Sequence, residues 1–431
     1  MHTVNLDLSL EEISKIEGGA GLDISIKDNQ VTKCEFKITE YKRFYTQAIR
    51  GKSAAAAPAL LARICGTCSN AHILASLEAI ERALQLTPSP QTMTLRRLLM
   101  NGLIIRDHAL HLYLFVLPDL FNKDSLLDFD DANPKQHQLV HDAFSVKDSG
   151  NQLSILVGGR SVHAPLPQIG GFLKLPDPEK IPLVYQQLQT VRPAIIKLID
   201  IFRLAPFSLI HSVPYLANQN EDYSYLNGDI ISSDGVHILP QDYRSHLNHI
   251  CLTYSQASAY TYQNTTYLVG ALARMNLNHP GLHPKTQVDA ASSLKLFPSK
   301  NVFHNNLAQA IEILNAIDDS LMILGQNKFL PEPIIKPTLQ SGQGFGIIEA
   351  PRGLLYHHLT IKDLIIQDAE ILVPTGQNQL NIENDIKTLV NQKLKSPNFN
   401  QANLARDIEI LIRAYDPCMS CASHFLKIKW C

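Results

Sequence analysis

Two stretches decide how this chain must fold: Arg63-Ile64-Cys65-Gly66-Thr67-Cys68-Ser69-Asn70-Ala71-His72 near its start, and Asp416-Pro417-Cys418-Met419-Ser420-Cys421-Ala422-Ser423-His424 near its end. Each is a Cys-x-x-Cys pair with a histidine shortly after it. Thiolates select iron, nickel, zinc or copper over hard cations. Four of them drawn from distant segments make one soft-metal site only when the fold brings the first and last parts of the chain together. The spacing therefore predicts one intertwined domain over residues 1–431 rather than two independent halves.

Composition narrows the rest. Lys plus Arg number 38 and Asp plus Glu 40, for a formal net charge of −2, and there is no polybasic tract. Nucleic acid and anionic membrane are not indicated as partners. Hydrophobic residues make up 45% of the chain and the mean hydropathy is −0.04, as in an ordinary globular core. No apolar run is long enough to span a bilayer. The opening Met1-His2-Thr3-Val4-Asn5 lacks the basic and apolar regions of a secretory signal, so a cytoplasmic location is expected, unless a partner carries the chain elsewhere. The seven cysteines do not read as a disulfide framework. Outside the two pairs, Cys34 and Cys251 read as core thiols and Cys431 is terminal.

Patterning predicts a mainly α fold with smaller β elements (α+β). Residues 15–40 alternate with period two: Leu22, Ile24 and Ile26, a turn at Asp28-Asn29, then Cys34, Phe36 and Ile38, which is a β-hairpin. A helical core is expected over about 54–325, with helices at 54–86, 92–117, 179–204, 241–274 and 303–325. Residues 119–150 read as an exposed excursion, and about 344–375 returns to β-rich composition ahead of the metal-binding segment 416–424.

On spacing alone, four cysteines in two pairs fit a closed structural zinc site, an iron–sulfur cluster or a redox-active pair. The long interval between the pairs weighs against a local zinc knuckle. Further motifs follow in order along the chain. These are Lys15-Ile16-Glu17-Gly18, Arg50-Gly51, Asp107-His108 with His111, Leu117-Pro118-Asp119, and Gly158-Gly159-Arg160-Ser161-Val162-His163 with Gly170-Gly171. Glu349-Ala350-Pro351-Arg352-Gly353 and Val373-Pro374-Thr375 complete the set. With these in place the sequence resembles the large, catalytic subunit of nickel–iron hydrogenases from Lys15 to His424.

The resemblance implies reversible heterolytic cleavage of H2 at a Ni–Fe centre. Cys65 and Cys418 would bind nickel terminally, and Cys68 and Cys421 would bridge nickel and iron, with carbon monoxide and cyanide on the iron. Glu17 would relay protons from Cys418. Arg352, held behind Pro351, would donate to one cyanide and Thr375 to the other. Asp107 and Asp416 would complete an anionic ring around Arg352, and His72 and His111 would hydrogen-bond near the sulfurs. Taken singly, each of these has a plainer reading: an exposed glutamate at a glycine turn, a surface ion pair, a turn threonine, a core histidine.

The chain also departs from the family pattern. Lys15 stands for the usual arginine, Gly19 for a common histidine and Ala164 for a frequent proline. Thr46 stands where a glutamate usually helps hold Mg²⁺ together with the C-terminal histidine, here His424, and a hydroxyl is a poor Mg²⁺ ligand. After His424 only a seven-residue tail, Phe425 to Cys431, follows, shorter than the extension that maturation removes in many members; it is retained or maturation differs.

Cys34, Cys251 and Cys431 are too few and too scattered for an electron relay, so the resemblance implies an iron–sulfur small subunit. It also implies maturation proteins that insert nickel and Fe(CN)2CO, and a diaphorase or another electron-transfer subunit as a further partner. Two alternatives remain at this stage: a regulatory H2 sensor signalling to a kinase, and the quinone-binding relative in respiratory complex I, which has lost the cysteines that are present here.

Overall fold

The N-terminal alternation folds as expected in the computed structural model, which describes residues 4–41, 43–226, 228–326, 328–396 and 399–423. Strands β1 (Leu6–Leu10), β2 (Ala20–Lys27) and β3 (Gln30–Ile38) form an antiparallel sheet in that order. Leu22 pairs with Phe36 and Ile24 with Cys34, all of them buried. Asp28 and Asn29 take φ of 49° and 60°, the left-handed pair whose twist matches a two-residue hairpin. The first strand is an addition to the expected hairpin; its Leu6, Leu8 and Leu10 are only partly buried against the core.

Helices supply most of the remaining core. The expected helix at 54–86 is broken at the first cysteine motif, and only its second part is long: α1 (Ser69–Ala83). Next comes α2 (Pro90–Ala109), which continues into a π-helical stretch, Leu110–Val116. Residues 119–150 are not an exposed excursion. Most of that span lies in α3 (Pro134–Gly158), capped by Asn133 Oδ1 and started by Pro134. Its buried face reads Leu139, Ala143, Val146, Gly150, Leu153 and Val157, a helical period diluted by small residues. Gly150 is small because it meets Gly102 of α2, whose carbonyl oxygen would lie 2.8 Å from a Cβ there. The helix α4 (Ile181–Arg203) forms as the pattern predicts.

The expected helix at 241–274 is also corrected. The segment folds as a 3₁₀ segment (Pro240–His246), then β4 (Leu247–Cys251) paired with β5 (Ser258–Tyr262), and only then α5 (Ala271–Asn278). Tyr260, Thr261 and Tyr262 favour extended backbone. Every residue of β5 is buried, which leaves no alternation to read. Cys251 ends β4 exposed and is not a core thiol, whereas Cys34 is buried.

The long α6 (His304–Gln326) is buried along almost its whole length. Strands β6 (Gly342–Ala350), β7 (Gly353–Lys362) and β8 (Ile365–Leu372) then form an antiparallel sheet, as the β-rich composition predicts. The chain ends in α7 (Pro374–Leu394), α8 (Gln401–Ala414) and the short turn Met419–Ala422. Glycines let α1 dock on β6: a Cβ on Gly342, Gly344 or Gly346 would lie 2.1, 2.1 or 2.0 Å from the carbonyl oxygens of Ala83, Ala79 and Ala75. Two strand residues advance about 6.7 Å and four helix residues about 6.0 Å, so the two rows stay in step. This contact fixes α1, and with it the first cysteine motif, against the hairpin that carries Arg352.

Candidate metal centre

In both cysteine motifs an extended first cysteine precedes a helix. Cys65 is extended after a single 3₁₀ turn, and Cys68 caps the start of α1. At the far end Asp416 takes a left-handed φ of 50° that turns the chain out of α8, Cys418 is extended, and Cys421 lies in the short helix behind it. The motifs are 353 positions apart in sequence, yet Cys65 Sγ lies 3.3 Å from Cys418 Sγ and Cys68 Sγ 2.9 Å from Cys421 Sγ. All four sulfurs lie within 4.8 Å of one another, and all four residues are buried. Hydrogen bonds from Cys418, Cys421 and Cys68 hold the Cys65 thiol well below its usual range, while burial pushes Cys418 and Cys421 up. A soft cation among the four sulfurs would stabilise them as thiolates.

Arg352 sits in the turn between β6 and β7. Its Nη1 donates to Asp107 Oδ2 at 2.7 Å, its Nη2 to Asp416 Oδ1 at 2.9 Å and its Nε to the Asp416 carbonyl at 2.7 Å. Burial works against the guanidinium charge, but Asp107 and Asp416 outweigh it and hold the group protonated. The Arg352 turn has its own support. Arg274 of α5 donates to the carbonyls of Ala350 and Pro351 at 3.1 and 3.0 Å. The same guanidinium pairs with Glu312 at 2.6 and 2.7 Å and with Glu349 at 2.8 Å. His108 Nε2 lies 2.8 Å from Glu312 Oε2, so the network reaches α2 beside Asp107.

Glu17 is half-buried beside the last motif. Its Oε2 accepts from the Cys418 thiol at 3.0 Å and from the Ser420 amide at 3.1 Å. Burial and then the charge on Cys65 raise its pKa. Thr375 Oγ1 accepts the Cys418 amide at 2.9 Å, which leaves the hydroxyl proton to donate elsewhere. His72 places Nε2 3.7 Å from Cys421 Sγ and Nδ1 3.1 Å from His357 Nε2; burial lowers its pKa to about 4. His111 does not reach a sulfur. The π-helical stretch directs it to Gln309 Oε1 at 2.6 Å and the Arg413 carbonyl at 2.7 Å, and Gln309 in turn donates to Asp416 Oδ2 at 2.9 Å.

A small cavity of about 10 Å³ is lined by Cys68, Cys421, Ala350, Pro351, Arg352 and Thr375, among others. Apolar walls with one cation and one hydroxyl suit small, weakly hydrated anionic or diatomic ligands beside the bridging sulfurs. Together with the all-sulfur donor set, the residues present fit a nickel–iron centre. Thr46 is buried in the turn Tyr45–Ala48, and its supposed partner His424 lies outside the described residues. The Gly158–His163 segment owes its place to the first motif. Arg106 donates to the carbonyls of Ser161 and Thr67, Asn70 Nδ2 donates to Ser161 O at 3.1 Å, and the His163 amide donates to Ser69 Oγ at 2.9 Å.

Sequence reasoning missed Arg274, Glu312, His357 and Arg106. Arg274 and Glu312 are isolated charges among apolar helix residues, Arg106 adjoins the Asp107-His108 motif, and His357 stands beside His358 in β7. Only the absence of an obvious reason for a charge there, as with Arg274 and Glu312, could have drawn notice.

The profile of the family described as nickel-dependent hydrogenase matches residues 43–193 and 214–424. The chain is 30% identical to the sulfhydrogenase 1 subunit alpha of Pyrococcus furiosus, over 99% of this chain and 100% of that protein. It is 31% identical to the sulfhydrogenase 2 subunit alpha of the same organism, over 98% and 100%. Identity to the beta subunit of the NAD-reducing hydrogenase HoxS of Cupriavidus necator is 26%, over 97% of this chain and 94% of that protein. Among solved structures, an NAD+-reducing NiFe-hydrogenase in the H2-reduced state superposes with a TM-score of 0.81 at 22% identity, over 98% of this chain and 100% of that one. The NiFeSe-hydrogenase of Desulfomicrobium baculatum superposes with a TM-score of 0.77 at 20% identity, over 97% and 100%.

Proposed function

We propose, starting from a chain that belongs to the nickel-dependent hydrogenase family, that it is the hydrogen-splitting subunit of a multi-subunit nickel–iron hydrogenase. In this reading Cys65 and Cys418 would hold nickel, Cys68 and Cys421 would hold nickel and iron, and residues 1–431 act as one intertwined domain. When bound, the centre supplies the Lewis acidity and the electron sink for parting H2 into protons and electrons.

The protein's own groups handle the charge. Cys418 Sγ takes a proton and passes it to Glu17 Oε2, 3.0 Å away, whose pKa is raised by burial and by the charge on Cys65. Arg352, fixed by Asp107 and Asp416, would present a permanent cation to small anionic ligands of the centre, and Thr375, which lines the same cavity, would present its hydroxyl. Pro351 and Leu355 line the cavity with hydrocarbon and exclude water.

Electrons must leave through a partner. Cys34 is buried against the Glu383 carbonyl, and Cys251 is exposed on a strand end, so neither can start an iron–sulfur relay with the other. An iron–sulfur small subunit fills that need, with maturation proteins to load the metals. No helix among the described residues is long and apolar enough to cross a membrane. We read the enzyme as cytoplasmic. The enzyme is favoured over the sensor because the relatives carry the names of enzymes.

The observation that carries this reading is the four-sulfur cluster with Glu17 on Cys418. It is tested by metal analysis of the purified complex. Nickel and iron near one each, with infrared bands of carbon monoxide and cyanide, are expected; a complex holding only zinc would overturn the reading.

A further inference from the structure

The face of α3 turned away from the core carries a second set of metal-ligating groups. Leu139 and Ala143 of this helix are buried, whereas His137 and His141, one helical turn apart, are both exposed. Their Nε2 atoms lie 3.0 Å from each other. The ring centroids are 4.5 Å apart and the planes cross at 65°, so the rings meet at an angle rather than in one plane. The pair shares no residue with the four-cysteine centre.

One of the two rings is oriented from behind. Asp131 Oδ1 lies 3.4 Å from His137 Nδ1, the nitrogen on the far side of that ring. A carboxylate there favours a proton on Nδ1 and leaves the Nε2 lone pair free, as the outer carboxylates of metal-bound histidines do. The loop that presents Asp131 is tied to the first turn of α3. The Asp130 amide donates to Gln136 Oε1 at 2.8 Å, and Asn133 Oδ1 accepts the Lys135 amide at 3.0 Å.

The spacing of the nitrogens also selects a geometry. Two nitrogens bound about 2.1 Å from one ion lie about 3.0 Å apart at a right angle and about 3.4 Å apart at the tetrahedral angle. The observed 3.0 Å matches neighbouring ligands of a square-planar or octahedral ion. We propose that His137 and His141 chelate one divalent transition-metal ion through their Nε2 atoms, Cu²⁺ or Ni²⁺ ahead of Zn²⁺. Water fills the remaining positions, and Asp131 stands behind His137. Binding moves the His141 proton from Nε2 to Nδ1 through solvent, and no electrons are transferred. Mg²⁺ and Ca²⁺, which take oxygen ligands, are not bound here.

The plainer role of the pair is a hydrogen bond on the helix surface, from His141 Nε2–H to His137 Nε2. Metal titration separates the two. The purified complex, with its centre loaded and loosely held ions removed by a chelator, is titrated with Cu²⁺ or Ni²⁺ alone. One ion beyond those of the centre is expected. His137→Gln and His141→Gln should each weaken its binding by about a hundredfold, because one imidazole loses the effective concentration of its neighbour. Asp131→Asn should weaken it by about tenfold, the lower end of what loss of an outer carboxylate costs. Both histidines are exposed and glutamine is a good helix former, so the variants should fold. Nickel and iron of the centre, counted in the same samples, should not change, which keeps this site separate from the four cysteines. With Cu²⁺, electron paramagnetic resonance should show coupling to two imidazole nitrogens in the wild type and to one in His141→Gln. Equal uptake by the wild type and both histidine variants would overturn the proposal. So would uptake only at millimolar ion, or a wild-type spectrum with fewer than two nitrogens.

Discussion

Glu17 and Cys418 are joined twice: the thiol donates to Glu17 Oε2 at 3.0 Å, and the two backbones form a parallel bridge in which the Met419 amide donates to the Glu17 carbonyl at 2.9 Å. The backbone bridge fixes the side-chain contact, so the acid cannot drift from the sulfur without unzipping the end of the chain from its beginning. The same bridge helps bring the last cysteine pair to the first. Proton handling and assembly of the cluster therefore share one structural element but use different atoms of it.

That difference makes the first prediction. Glu17→Gln leaves the carbonyl that accepts from Met419 and a side-chain oxygen for Ser420, so nickel and iron should be retained. Turnover and D2 exchange should fall by about 10²–10⁴-fold, the usual loss for a positioned acid–base group. Metal analysis alongside exchange measured by mass spectrometry checks it; near-normal exchange would move the proton route to Asp107 or Asp416.

How far the sequence could be read follows from what each residue needs from its neighbours. Leu22, Ile24 and Ile26 alternate against solvent, so their hairpin is visible in one dimension. Residues 258–262 are buried throughout and show no period, so the pattern predicts a helix where a strand forms. Small residues at Ala143, Ser149 and Gly150 hid α3, because close helix packing removes the bulky apolar side chains that reveal a helix. The cysteines declare themselves by their chemistry. Glu17, Asp107 and Arg352 needed the resemblance, and Arg274 needed the structure, since its partners Glu312 and Glu349 come from two other elements.

Two cysteines outside the cluster and one inside should behave in opposite ways. Cys418→Ser replaces a thiolate by a hydroxyl that stays protonated, a poor ligand for a soft metal, and nickel should be lost. Cys34→Ser should keep its metals. Burial pushes the Cys34 thiol up to about 12, so at pH 8 almost none is thiolate. Iodoacetamide should spare Cys34 and label the exposed Cys251, as read by peptide mass spectrometry. Ready labelling of Cys34 in the native complex would contradict its burial.

The glycine row of β6 should be intolerant of a single methyl group. A Cβ on Gly346 would lie 2.0 Å from the Ala75 carbonyl oxygen, so Gly346→Ala must push α1 away from the sheet. The expected cost is about 1–3 kcal/mol, as for overpacking elsewhere. Nickel content should fall with it, because Cys68 caps that helix. Gly325→Ala has the opposite expectation. It lies on α6, where a Cβ would meet only Tyr185 at 3.6 Å, and alanine there should be neutral or stabilise by about 0.5–1 kcal/mol. Thermal unfolding of both variants checks the pair of signs.

Arg274 should prove as important to the centre as the residues that touch it. Its guanidinium holds the carbonyls of Ala350 and Pro351, and so the turn that aims Arg352, while its charge is balanced by Glu312 and Glu349. Arg274→Met keeps much of the volume but strands two buried carboxylates, and removing one partner from such a network costs about 3–5 kcal/mol. Arg274→Lys keeps the charge but cannot fork to Glu312 and both carbonyls at once, so it should lose less stability and still disturb the turn. In the metal-loaded Lys variant the cyanide bands should shift and broaden as Arg352 loses its fixed aim, with nickel and iron content nearly intact. Chemical denaturation ranks the variants, and infrared spectra report the turn. If Arg274→Lys matched the wild type in both, the Arg352 turn would be held by Asp107 and Asp416 alone.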